Sequence, residues 1–313
     1  MKYNGIPATD IAVSPICLGT MTFGTPVGEA EAIRLVRHAD SRGVNFIDTA
    51  NMYEGYARVA GSAGGVAEEI VGRAVRGCRS RFVIATKLGM KVGPAPEDEF
   101  TSPAAIEKQL ERSLKRLGTD YIDVYYLHKY DPGTAPEVIV QAMARAIQSG
   151  KIRAWAVSNH TAAQLAALVS AADGLALSRP AMCQPALSLI KPDALTDLLP
   201  LCAREKIAVT PYQILQGGLL TGKYRRGQAA PEGSRRAEKP DWLDEPDGAL
   251  YARLERIGET AAAMGLTMTQ YAIRWALSQP AVVSAIVGVK RAEQIDEAAA
   301  AVEGLKEGGR RWN

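Results

Sequence analysis

The chain has 313 residues, 47% hydrophobic and 23% charged, the composition of a globular protein able to bury a core without disulfide staples. A net charge of +3 gives no footprint for nucleic acid or another polyanion. No apolar run approaches the roughly 18 residues of a membrane span, and the opening MKYNGIPATD has neither a basic leader nor an apolar stretch, so a cytoplasmic location without membrane contact is expected.

In chain order, the residues before Pro15 read as a small hairpin. PICLG near 17 is the first β-rich apolar run, followed by a helix at 29–42 with Ile33, Val36 and Ala39 inward and Gly43 as its stop. VNFID near 46, a glycine-rich loop at 54–66 and a helix at 67–77 come next. FVIAT near 84 precedes the clearest helix, 103–117. Ser102 is placed to cap that helix, Pro103 suits its first turn, Ile106, Leu110, Leu114 and Leu117 share one face, and Gly118 ends it. YIDVYYL near 124, IRAWAV near 154, AMCQ near 183 and IAVTPY near 209 alternate with helices at 135–149, 161–172 and 193–205. A long insertion at 213–246, helices at 247–264 and 267–278, SAIVG near 285 and a helix at 291–302 complete the chain.

Strands alternating with helices indicate a parallel β/α architecture. A doubly wound dinucleotide fold needs G-x-G-x-x-G after its first strand. Here that position reads GTMTFGTP, GSAGG at 61–65 does not match either, and no Walker A sequence occurs. The expectation is an α/β fold, a (β/α)8 TIM barrel with an N-terminal β-hairpin, as a single domain over 1–313.

Barrel sites are built at the C-terminal strand ends. The polar residues there are Asp48, Lys87, His128, the Ser158–Asn159 pair, Gln184 and Tyr212, with Tyr53 in the loop after Asp48. Asp48, Tyr53, Lys87 and His128 suit proton donation to a carbonyl oxygen. A free phenol, with a pKa near ~10, is a poor acid at neutral pH. A nearby ammonium lowers that value, an aspartate keeps the ammonium charged, and a histidine can orient the substrate oxygen. Taken singly, each residue has an ordinary reading as a loop cap, a packed ring or a solvated charge; the joint arrangement makes the site. Ser158 and Asn159 are also candidates to cap the helix at 161–172. Cys17, Cys78, Cys183 and Cys202 read as reduced thiols, and His38, His128 and His160 show no metal-ligand spacing, so no metal is expected.

The motifs resemble the aldo-keto reductase family over nearly the whole chain and in family order. GVNFIDTANMYEG, RSLKRLGTDYIDVYYLHKYD, FVIATK, KIRAWAVSNH, GGLLTGKYRRGQAAPEGSRR and IVGVKRAEQIDE carry the resemblance. It implies Tyr53 as general acid/base, Lys87 and Asp48 as its tuning pair, and His128 as the carbonyl orienter. It also implies that Ser158, Asn159 and Gln184 hold the nicotinamide carboxamide and that Tyr212 stacks on the ring. Gly218, Leu219, Thr221 and Lys223 would lie along the pyrophosphate, with Ser234 and Arg235 in the closing loop, and Gly288, Lys290, Gln294 and Glu297 would surround the adenosine end; Gln213, where the family pattern differs, is a further candidate phosphate contact. Lys290, with Arg291, is the implied partner of a 2′-phosphate, which favours NADP, with NAD as the alternative. The expected partner is a small-molecule carbonyl or alcohol, a bulky keto-sugar being one candidate because the tail GGRRWN is short. Alternatives within the resemblance are an NAD-dependent sugar or pyridoxal dehydrogenase and a cofactor-binding regulatory subunit. The sequence departs from the family pattern at Val287, Ala298, Gln213–Ile214 and Leu187. Two readings stay open for Arg225, Arg226, Arg235 and Arg236 (solvated loop or phosphate clamp) and for Trp242 (cofactor cover or loop anchor).

Overall fold

The computed structural model describes residues 1–243 and 245–303. Strands β1 (Asn4–Gly5) and β2 (Ala12–Val13) pair antiparallel as a hairpin. An 8-stranded parallel sheet follows: β3 (Ile16–Gly19), β4 (Phe46–Asp48), β5 (Val83–Leu88), β6 (Ile122–Leu127), β7 (Ile152–Ser158), β8 (Met182–Gln184), β9 (Ala208–Val209) and β10 (Ala285–Gly288). Each strand pairs with the next, and β10 returns to β3. The ring closes between β9 and β10. There Val209 bridges Val282, Val283 N–H donates to Val209 O at 3.0 Å and Ile286 N–H to Pro211 O at 3.0 Å. The architecture is a (β/α)8 barrel.

Helices α1 (Glu29–Ser41), α2 (Val66–Ala74), α3 (Pro103–Leu117), α4 (Pro136–Gln148), α5 (Ala162–Gly174) and α6 (Leu198–Arg204) link successive strands from β3 to β9. Helices α7 (Arg235–Glu238), α8 (Gly248–Ala263) and α9 (Met268–Leu277) lie between β9 and β10, and α10 (Ala292–Val302) follows β10. Helix α3 forms as its sequence demands: Ser102 Oγ accepts from Ala105 N–H, Pro103 opens the first turn, and Gly118 ends the helix at φ 63°. Two expectations are corrected. The segment 193–205 is not one helix but a 3₁₀ turn at Asp193–Leu195 followed by α6. Pro200 has no N–H and is tolerated only in a first turn, so the helix must begin just before it. Helix α5 is capped by Thr161 and Gln164 in a reciprocal box, not by Ser158 or Asn159.

The strand period of two sorts the core into two shells. Outward residues such as Ile47, Ile84, Tyr125, Trp155 and Val209 pack under the helices. Inward residues fill the barrel: Phe46, Val83 and Ala85, Val124 and Tyr126, Ala154 and Ala156, and Met182, closed at the bottom by Ile6, Ile11 and Val13 of the hairpin region. Continuing each inward row by two residues gives Asp48, Lys87, His128, Ser158 and Gln184. The alternation that builds the apolar interior thus delivers one polar layer at its top.

Helix α2 approaches the end of α3 so closely that a Cβ on Gly72 would lie 2.6 Å from Leu117 O and 2.8 Å from Arg116 O. Backbone cannot yield as a side chain can. Gly72→Ala is therefore expected to lower unfolding free energy by about 1–3 kcal/mol despite alanine's better helix propensity, read from the urea midpoint; an unchanged or raised midpoint would show that the two helices can separate freely.

Candidate active site

At the top of the barrel the Lys87 ammonium is fully buried and donates to Asp48 Oδ2 at 2.6 Å, to Thr49 O at 2.8 Å and to the Tyr53 hydroxyl at 3.2 Å. An ammonium has three donors, and all of them are used. The Tyr53 oxygen accepts one, so the phenol's own proton is left to point elsewhere, and Tyr53 lines the cleft above. The Tyr53 and His128 rings meet edge to face with centroids 5.9 Å apart. Asp48 Oδ1 accepts from Gln184 Nε2 at 2.8 Å, which bolts the amide of β8 to the same carboxylate. The structure thus brings Asp48, Tyr53, Lys87 and His128 together from β4, the loop after it, β5 and the end of β6.

Burial works against the charge on Lys87, but Asp48 and Tyr53 outweigh it and hold the ammonium above the usual lysine value. For Tyr53, burial pushes the phenol up by more than Lys87 pulls it down, and Asp48 adds to the rise. The expectation of a lowered phenol is corrected: the lysine acts in the anticipated direction, yet desolvation wins, and Tyr53 is proton-loaded at neutral pH. Burial, with Lys87 and Lys129 nearby, drives His128 well below the usual imidazole value, so it is neutral. Its Nδ1 is buried without a partner. A buried orphan lone pair is tolerated better than an orphan N–H, which favours the tautomer with its proton on Nε2. His128 lines the cleft and can offer that proton as a hydrogen bond.

The cleft has a volume of about 400 Å³. Ser158, Asn159, Gln184 and Tyr212 form its wall beside the four residues. Asn159 is fixed in a left-handed conformation, φ 57°, by Nδ2 donating to His128 O at 2.9 Å and Oδ1 accepting from the Tyr212 hydroxyl at 2.6 Å. Ser158 Oγ donates to Gln184 O at 3.0 Å. Farther along lie Gln213, Gly218, Thr221, Lys223 and Arg235, then Gly288, Lys290 and Gln294. Gly218 has φ 98°, a conformation that favours glycine. Burial pushes the Lys223 ammonium down, and Lys290, Arg235 and Arg291 push it further. Mutually repelling cations around a groove are the donor set that a phosphate-bearing ligand neutralises, so a dinucleotide fits the residues present.

Some expected residues are elsewhere. Leu219 is buried in an apolar cluster under the long loop with Leu220 and Tyr224. The Glu297 carboxylate accepts from Thr267 Oγ1 at 2.7 Å, next to α9, and does not line the cleft. Ser234 caps α7. Arg226 and Arg236 pair with Glu255 and Glu245, and Arg225 is exposed, so among these arginines only Arg235 faces the cleft. Trp242 does line it, and also packs edge to face on Tyr56 at 5.4 Å. Among the described residues no cluster of three or more His, Cys, Asp or Glu could hold a metal, and no helix is long and apolar enough to cross a membrane.

The sequence model of the Aldo/keto reductase family matches residues 15–306. The chain belongs to this family. It is 35% identical to an Arabidopsis thaliana protein named a probable voltage-gated potassium channel subunit beta, over 97% of this chain and 92% of that one. It is 31% identical to an L-glyceraldehyde 3-phosphate reductase of Escherichia coli O157:H7, over 97% and 88%. Its fold superposes on a glycerol dehydrogenase from Gluconobacter oxydans with a TM-score of 0.80 at 28% identity, covering 96% of this chain and 90% of the other. As an aldo-keto reductase it is an NAD(P)-dependent oxidoreductase acting on carbonyl groups.

Three features of this reductase's cleft escaped sequence reasoning. Gly19, Thr20, Met21 and Thr22 line it from the end of β3, and Thr20 donates to Asp48 O at 3.0 Å through both N–H and Oγ1. The strand-end rule applied to β3 as well would have found them. Gln216 and Gly233 line it from the long loop, and Tyr56 enters from the loop after Tyr53; nothing local in the sequence marks those directions.

Burial lowers the pKa of His160 as well as that of His128, below the usual 6.5. The unfolded chain therefore takes up protons first. Stability is fully present above about pH 6.5 and is lost as pH falls below it. His128→Gln is expected to flatten the decline of the urea midpoint between about pH 7.5 and 5.5, His160 supplying what remains; an unaltered slope would remove His128 from this linkage.

Proposed function

We propose that this protein reduces an aldehyde or ketone to the alcohol with NADPH, in the cytoplasm, Tyr53 supplying the proton. The observation that carries the reading is the Lys87 ammonium, whose three donors hold Asp48, Thr49 and Tyr53 while leaving the phenol's proton free at the cleft. When bound, the nicotinamide cofactor supplies the hydride. Ser158, Asn159 and Gln184 orient the carboxamide, each amide NH₂ keeping a second proton beyond the bonds already described. His128 donates a hydrogen bond to the carbonyl oxygen and fixes it against the phenol. Tyr53 passes its proton to that oxygen as negative charge grows there, and Lys87 stabilises the phenolate left behind. Asp48 holds Lys87 charged throughout the cycle.

The preference for NADP rests on Lys290, Arg235 and Lys223 around one end of the cleft. Lys290 Nζ currently pairs with Glu238 and with Gly233 O at 2.8 Å, contacts that a phosphate can replace. The four free cysteines accord with a reducing compartment. The keto-sugar expectation depended on the tail GGRRWN, which lies outside the described residues. A second reading, a cofactor-binding regulatory subunit, draws on the 35% identity to a protein named as a channel subunit; the assembled proton relay favours turnover.

Two measurements test the proposal. Tyr53→Phe is expected to reduce turnover of aldehydes at least ~10³-fold while NADPH still binds, seen by fluorescence titration; full activity in this variant would remove Tyr53 from the mechanism, and absence of turnover by the parent with every carbonyl class would favour the regulatory reading. Lys290→Ala is expected to weaken NADPH binding about tenfold or more with little change for NADH, and equal effects on both would withdraw the 2′-phosphate assignment.

A further inference from the structure

Tyr53 reaches the Lys87 ammonium from a loop, and other bonds must hold that loop against β5. Its N–H donates to Ala50 O at 3.1 Å, and its carbonyl accepts from Ala67 N–H at 3.0 Å. Ala67 lies in the first turn of α2, beyond the long loop at 54–65. The chain returns so closely there that a Cβ on Gly64, at φ 68°, would lie 2.0 Å from Asn51 O. The first turn of α2 is thus docked on the backbone that carries the proton donor.

The next residue, Glu68, is wholly buried. Its Oε1 accepts from Thr86 Oγ1 at 2.6 Å, and its Oε2 accepts from Arg116 Nε at 2.6 Å. Thr86 lies between the outward-facing Ile84 and Leu88 of β5 and immediately precedes Lys87. A circuit therefore closes through neighbouring residues. The Tyr53 carbonyl is bonded to Ala67, Glu68 to Thr86, and the Lys87 ammonium back to the Tyr53 hydroxyl at 3.2 Å. The bond between Glu68 and Thr86 is the one that ties α2 to β5 beside the buried ammonium.

A buried ion pair is a poor device for stability alone, since an apolar pair of similar volume often holds two elements as well or better. Arg116 also leaves its Nη2 buried without a partner, so its pairing with Glu68 is not saturated. What a carboxylate adds over an apolar side chain is direction, and Glu68 Oε1 is directed at the residue next to Lys87. We propose that Glu68 is a positioning residue: through Thr86 it locks the first turn of α2 to β5 and so sets the separation between the Tyr53 hydroxyl and the Lys87 ammonium. It does not line the cleft and acts only through these neighbours. The inference rests on Tyr53 as the proton donor proposed above. Reaction rates fall steeply when the reacting groups are misplaced, so a small shift of α2 reaches the chemistry.

The test removes the bond from the strand side, where Thr86→Val keeps the shape and Thr86→Ser keeps the hydroxyl. Turnover is read with NADPH and the best aldehyde among propanal, benzaldehyde and glyceraldehyde. Thr86→Val is expected to lower kcat about tenfold or more, with KM and NADPH affinity within about twofold of the parent. The solvent deuterium effect on kcat is expected to rise, because proton transfer from Tyr53 then limits the cycle, and Thr86→Ser is expected to recover most of kcat. Thr86→Ala serves in place of the valine variant if that one does not fold, with the same expected outcome. A kcat within about twofold of the parent, a loss shared by kcat and NADPH affinity, or a loss that serine does not recover overturns the assignment. In crystals of Thr86→Val the contact between Lys87 Nζ and the Tyr53 hydroxyl is expected to open beyond about 3.5 Å. An unchanged distance overturns the positioning role whether or not an aldehyde is reduced. A parent that reduces none of the three aldehydes overturns carbonyl reduction, and that distance then decides the positioning role by itself.

Discussion

The buried contact between Lys87 and Asp48 is the constraint around which the rest of the molecule is arranged. Both side chains are almost wholly removed from water, with side-chain exposures of 0% and 4%. Desolvating each ion costs several kcal/mol, and only close, saturated contacts recover it. The barrel supplies them: Thr49 O and Tyr53 complete the ammonium, and Gln184 completes the carboxylate. Tyr53 is therefore positioned by a debt of solvation that the ion pair cannot settle without it. Gln184 is bound to the same demand, which links the cleft wall at β8 to Lys87 and Tyr53 through a single carboxylate.

Two fields meet across this pair. On the β9 and β10 side, Lys223, Lys290 and Arg235 raise the potential along the cleft, and Glu238 offsets part of it. Tyr56 and Trp242 join that side, with Arg235 5.2 Å and Lys290 5.0 Å from the Tyr56 centroid. This aromatic and cationic clasp spans from the loop after Tyr53 to the long insertion, so two walls of the cleft share side chains. On the β5 and β6 side Lys129 pairs with Glu99 and lies 4.1 Å from the Phe100 centroid.

The β/α alternation, the boundaries of α3 and the strand-end positions of Asp48, Lys87, His128, Ser158 and Gln184 were legible because they depend on local rules: a period of two, a capping serine, a glycine at positive φ. The split of the segment after Pro192 was written in Pro200 and was missed by reading hydrophobic spacing alone. The net direction of the Tyr53 titration was not legible. Lys87 and Asp48 could be named from sequence, but the balance between burial and charge depends on how much water the assembled barrel excludes. Glu297 and Leu219 follow the family motif in spacing, yet Glu297, one turn along α10 from Gln294, is bonded to Thr267, and Leu219 is buried in an apolar cluster under the kinked loop.

The sequence by itself determined the barrel, the residue types at its mouth and the order in which they occur, since periodicity and chain order survive without knowledge of contacts. Only the tertiary structure decided which of those side chains share a hydrogen bond and which cations crowd one another. Those facts join residues such as Asp48 with Gln184 and Thr101 with Asp131, distant in the chain and brought together by closure of the ring. Interaction energies between polar groups depend on distance and on excluded water, and neither exists until the fold does.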